Sequence, residues 1–147
     1  MNAIHVAEVL AMRGYIRHPD SIPITVTLAD DHRLPESADL PGLCCRVEQP
    51  FAPGSTVRFT LPSLPVPFTT YGRVSCCCRH GDHWLARIAL PCEQTYYRLR
   101  MVEQLCQIEA YRHCVAEHQG RQLDVEQAAA EWIDRYAADF DQCFAMS

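Results

Sequence analysis

The chain has 147 residues, 48% of them hydrophobic and 21% charged, which describes one folded domain with its own core and excludes a disordered protein. A formal net charge of -5 argues against nucleic-acid binding through a general positive surplus, although all 13 basic side chains are arginine and each can make planar, bidentate contacts. No run approaches the roughly 20 apolar residues needed to cross a membrane, and MNAIHVAEVLAMRG lacks a basic leader region, so the expected location is the cytoplasm.

Residues 3 to 12 carry Ile4, Ala7, Leu10 and Ala11 at helical spacing, and Gly14 breaks the pattern, so a short helix is predicted ahead of RGYIRHP. SIPITVTLAD (21 to 30) alternates Ile22, Ile24, Val26 and Leu28 with polar neighbours, the pattern of a strand with one buried face. A polar loop, DDHRLPESADLPG, follows. Four more strands are expected at 43 to 48, 55 to 61, 68 to 80 and 83 to 90, the last two joined as a hairpin by HGD. Gly72 inside one of them predicts a bend or bulge. Short antiparallel strands at this spacing predict a small closed or nearly closed barrel rather than a parallel sheet.

After Pro91 the period changes from two to between three and four. Tyr97, Met101, Leu105, Ile108, Tyr111 and Val115 mark a long helix ended by Gly120. Asp124 and Gln127 form a helix-starting pair for a second helix with Val125, Ala128, Ala129, Trp132, Ile133, Tyr136 and Phe140 on its apolar face. The expected organisation is an N-terminal helix and arginine loop over 1–20, a β-barrel over 21–90 and a helical hairpin over 91–147. The hairpin's apolar surface predicts a homo-oligomer, a dimer formed through these helices.

The cysteines number nine, an odd count with no CxxC spacing, so most read as small apolar fillers rather than disulfide or zinc knuckles. The sharpest metal set is Cys76, Cys78 and His80 on one strand face with His83 beyond the turn, short of the two knuckles zinc usually takes. No metal or cofactor is expected. Catalytic signatures are missing as well: the histidines are scattered over loops and helix surfaces, with no nucleophile setting, phosphate-cradling glycine loop or HExxH. The chain reads as a non-enzyme. A DNA-reading role for the terminal helices is disfavoured by Glu126, Glu131, Asp134 and Asp139 against one Arg135 in the second helix.

What remains is Arg13-x-x-x-Arg17 directly before a strand, then a loop with Asp39 and Gly42, then another strand. In this order the sequence resembles the PilZ domain, the bacterial receptor module for cyclic di-GMP, which opens with RxxxR and carries [D/N]xSxxG before a later strand; TYGRVSCCCRHGDHWLARIAL is similar in shape to its later strands. The resemblance covers about residues 10 to 90 and leaves the helical tail as an addition. It implies a PilZ-like barrel of about six strands, cyclic di-GMP as the ligand, and four ligand-binding positions. Arg13 and Arg17 would clamp guanine edges and phosphates, Asp39 would accept from guanine, and Gly42 would let the backbone approach. The second motif departs from the pattern, since Asp39 and Gly42 are three apart and Pro41 stands where serine belongs. Two readings stay open: a receptor that couples nucleotide binding to an unknown protein partner or to self-association, with Arg46 or His18 compensating, or a PilZ-like interaction module that no longer binds nucleotide.

Overall fold

The computed structural model describes residues 14–64 and 67–145, with side chains described up to residue 135. The expected N-terminal helix, Arg13, and the side chains of Tyr136 and Phe140 lie outside the described residues. Six strands form one sheet: β1 (Ile16–Arg17), β2 (Thr25–Leu28), β3 (Leu40–Val47), β4 (Thr56–Leu61), β5 (Phe68–His80) and β6 (His83–Leu90), followed by helices α1 (Glu93–Gln119) and α2 (Val125–Ala145). Among the described residues no helix is long and apolar enough to cross a membrane.

The sheet order is β1-β3-β6-β5-β4-β2, with β1 and β2 at opposite edges. Two sequence expectations change here. The sheet is mixed rather than antiparallel, because β1 runs parallel to β3, Ile16 opposite Leu43 and Arg17 opposite Cys44. It is also not closed into a barrel, since β1 pairs only with β3 and β2 only with β4. The predicted hairpin of β5 and β6 is present, with His80 opposite His83.

One face of the sheet carries the core. Leu43, Cys45 and Val47 of β3, Ala86, Ile88 and Leu90 of β6, Val74 of β5, and Val57, Phe59 and Leu61 of β4 form one buried cluster with Leu99 and Cys106 of α1. The period of two places these side chains together on the face that α1 covers. Helix α1 thus packs on the sheet through Leu99, Val102 and Cys106, while Tyr97, Met101 and Leu105 of the predicted stripe stay exposed, Met101 at 70%. Farther along, Ile108, Val115 and Tyr111 turn to Leu123, Ala128 and Trp132 to form the core of the helical hairpin.

The glycines bear on the register. The predicted bulge at Gly72 instead falls between Val74 and Cys76. Gly72 is needed for close packing: a Cβ there would sit 2.4 Å from Ile88 Cγ2 and 2.6 Å from the Ala89 carbonyl oxygen. Gly42 lies inside β3 rather than in a loop before it, and its Cβ would sit 2.3 Å from the Ile88 carbonyl oxygen. The register with β6 slips between Leu40 and Leu43, where Pro41, which has no N–H to donate, is tolerated. The first turn of α2 is closed as the sequence predicts, Gln127 N donating to Asp124 Oδ1 (2.7 Å) and Asp124 N to Gln127 Oε1 (3.0 Å).

Replacing Gly42 with alanine is expected to push β3 off β6 and cost about 1–3 kcal/mol as overpacking does. Urea denaturation of Gly42→Ala measures it; unchanged stability would show that β3 can shift freely.

Candidate functional site

The segment carrying Arg17 is a two-residue strand with its neighbours, held in place from α1 and β3. Tyr96 Oη donates to the Gly14 carbonyl (3.3 Å), Gln107 Nε2 donates to the Arg17 carbonyl (3.0 Å), and His18 N donates to the Cys44 carbonyl (2.9 Å). Strand alternation then divides its side chains. Ile16 and His18 point into the core, and Arg17 points to the opposite, outer face.

His18 is buried rather than on a loop surface, and so is Glu103, which lies opposite it on α1. His18 Nε2 sits 2.8 Å from the Ile22 carbonyl, which can only accept, so Nε2 carries its hydrogen. Nδ1 therefore shares a proton with Glu103 Oε2 at 2.6 Å. The other carboxylate oxygen, Oε1, is buried with no hydrogen-bond partner. Cys106 completes a group whose ligand atoms lie within 4.8 Å of one another, the one metal-compatible group among the described residues. Its short Nδ1–Oε2 hydrogen bond occupies the space between two of the would-be ligands, and burial pushes the Cys106 thiol up to about 12. We read the group as a polar anchor between strand and helix. The candidate set of Cys76, Cys78, His80 and His83 is not among the groups whose ligand atoms come together in the described residues, although the two histidine rings meet edge to face at 5.2 Å at the hairpin tip.

On the outer face the register lines up Arg17, Cys44, Arg87 and Cys76 across β1, β3, β6 and β5. Arg46 follows two residues after Cys44 on the same face. Arg17 Nη1 donates to the His18 carbonyl (2.5 Å) and Nη2 to Asp20 (2.7 Å), an ion pair whose side chains are 34% and 50% exposed. A pair so exposed contributes little to stability. Arg87 has its guanidinium 4.9 Å from the centre of the Tyr15 ring, and its Nε is buried without a hydrogen-bond partner. An unmade bond of that kind costs about 1–3 kcal/mol. Tyr15 in turn spans the face to β5, its hydroxyl 3.0 Å from Ser75 Oγ at the bulge. Burial pushes the Cys44 thiol up to about 11 despite the opposing pull of Arg17 and Arg87.

Of the second predicted motif, Gly42 lies on β3, the strand paired with β1, two residues before the Cys44 that stands opposite Arg17. Asp39 is exposed in a turn, its N–H on the Ser37 carbonyl (2.8 Å), and the loop before it is held against β5 by Arg73, which donates to the carbonyls of Pro35 (2.9 Å) and Glu36 (3.2 Å). Gly42 is spent on strand packing. Two clefts instead open between β2 and β3. One of about 220 Å³ is bounded by Asp20, Ile22, Ile24 and Arg46, and one of about 320 Å³ by Val26, Arg46, Gln49 and Phe51. Sequence reasoning missed Arg87, Tyr15 and Glu103. Alternation put Arg87 opposite the core residues of its strand, but only the register sets it beside Cys44.

Glu103→Ala is expected to leave the His18 ring without its buried partner and to destabilise the fold by about 3–5 kcal/mol. Replacing both residues, as His18→Leu with Glu103→Leu, should recover much of that loss. Chemical denaturation of the three variants measures both, and an additive double loss would count against a paired anchor. No protein-family model, curated protein or solved structure matches this chain.

Proposed function

We propose that the chain is a non-enzymatic cyclic di-GMP receptor of the PilZ type, acting in the cytoplasm and coupling nucleotide binding to a partner protein or to self-association. The supporting observation is how Arg17 is held. Its backbone is fixed to α1 through Gln107 and, next door, through His18 and Glu103, while its guanidinium stands on the outer face with, among the described residues, a single surface carboxylate as counter-ion. A ligand phosphate or guanine edge can exchange for Asp20 at small cost, and the pull on β1 would reach the helical tail. In this reading the open sheet corresponds to the PilZ barrel, Arg13 and Arg17 form the clamp, and Asp39 and Gly42 contribute little.

The departure at Asp39 and Gly42 favours a second reading, a PilZ-like interaction module without nucleotide. Gly42 sits inside β3, where strand packing takes its backbone, and Asp39 is exposed ahead of that strand with Pro41 in place of the serine. Under both readings the exposed Tyr97, Met101 and Leu105, at steps of four along α1, supply an apolar stripe for self-association.

Calorimetry with cyclic di-GMP separates the readings. Saturable heat from the unmodified protein, lost in Arg13→Ala and Arg17→Ala, is expected; no heat from the unmodified protein overturns the receptor reading and leaves the interaction module. Light scattering tests self-association: the unmodified chain should have a dimer mass and Met101→Arg a monomer mass, and a monomer throughout would remove the stripe from the proposal.

A further inference from the structure

We infer that Arg87 and Arg17 together form an oxyanion seat on the outer face of the sheet, holding the phosphodiester of a nucleotide above Cys44. The inference deepens the nucleotide reading and rests on it only for the identity of the ligand.

The argument begins with the register. Arg17 and Arg87 each stand opposite Cys44, on the two strands that flank β3. With neighbouring strands about 4.8 Å apart, their backbones are roughly 10 Å apart, so two arginine side chains can reach one group between them. The residue beneath is small. Its thiol stays neutral, burial pushing it up to about 11, so the floor does not repel an anion.

Arg87 is a half-buried cation without an anion. Among the described residues no carboxylate pairs with it; its contact is the Tyr15 ring, and its Nε has no acceptor. Tyr15 is pinned by Ser75, which fixes the plane of the guanidinium before any ligand arrives. Nε is shielded from solvent in this structure, so an oxyanion taken side-on by Nε and one Nη would supply the missing acceptor once the side chains that cover Nε part. Arg17 has a counter-ion that is half exposed and readily exchanged. Two planar forks closing from opposite sides match the out-of-plane oxygens of a tetrahedral phosphate, whereas a flat carboxylate is satisfied by one fork alone.

The test follows the arginine Nε–Hε resonances of the full chain during titration with cyclic di-GMP and, separately, with inorganic pyrophosphate, and it compares affinities for Arg87→Gln and Arg87→Lys after circular dichroism has verified their fold. The Arg87 and Arg17 resonances should move together with either probe, and Arg87→Gln should weaken cyclic di-GMP binding by about tenfold or more while Arg87→Lys recovers part of it. Movement with pyrophosphate but not with cyclic di-GMP would uphold the seat and remove the nucleotide reading. Cyclic di-GMP binding unchanged in Arg87→Gln, with the Arg87 resonance still, would overturn the seat and leave the receptor reading standing. An Arg87 resonance that neither probe moves also overturns it.

Discussion

The hydrogen bond between His18 and Glu103 fixes how the two parts of this protein meet. Two polar side chains taken fully out of water are costly unless their groups find partners. His18 finds two, the Ile22 carbonyl and Glu103, and Glu103 finds one. Burial makes such a bond exacting in geometry: α1 must present Glu103 at one point along the sheet, and β1 must deliver His18 to the same point. Gln107, four residues after Glu103 and so on the same helix face, reinforces the match by taking the Arg17 carbonyl. With His18 turned inward, alternation leaves Arg17 no choice but the outer face.

The two faces of the sheet therefore have different jobs. The inner face is a close-packed core in which backbones approach so nearly that Gly42 and Gly72 have no room for a methyl group. Cysteine serves there as a small filler, with Cys45 and Cys106 fully buried and their thiols driven toward the protonated form by loss of water. Among the described residues the outer face is covered by its own side chains and by no helix. Cys44, Cys78 and Leu85 make a thin apolar layer there, and arginines and Tyr15 lie over it. Among the described residues Arg87 is a cation on this layer without a carboxylate partner, and that is what gives this face chemical interest.

The helical tail is built as a separate small core joined to the first by α1. Leu123, Ala128 and Trp132 pack against Ile108 and Val115. Arg112 donates to the Leu123 carbonyl (2.8 Å), and Glu131 accepts from both Tyr111 (2.7 Å) and Arg121, a link that holds the Glu131 carboxyl below the usual carboxylate range. Helix α1 runs unbroken from the sheet into this second core and contributes side chains to both.

Much of this was legible in the sequence, because it depends on local rules. Alternation over 55 to 61 and 83 to 90 marked β4 and β6, HGD marked the hairpin, and Gly120 and Asp124 marked the helix boundaries. The resemblance pointed to Arg17, which lies on the outer face beside the core anchor. The remainder depended on pairing at long range. A two-residue strand has too few residues to show a period, so β1 and its parallel partner stayed hidden until β3 was placed beside it. Which stripe of α1 faced inward could not be read from hydrophobicity, since Glu103 is buried and Met101 is not; the deciding partner, His18, is 85 residues away. Arg87 looked like any arginine in an alternating strand. By itself the sequence determined the elements, their order and their charges. Only the tertiary structure decided which strands are neighbours, and hence that Arg17 and Arg87 stand on either side of one cysteine.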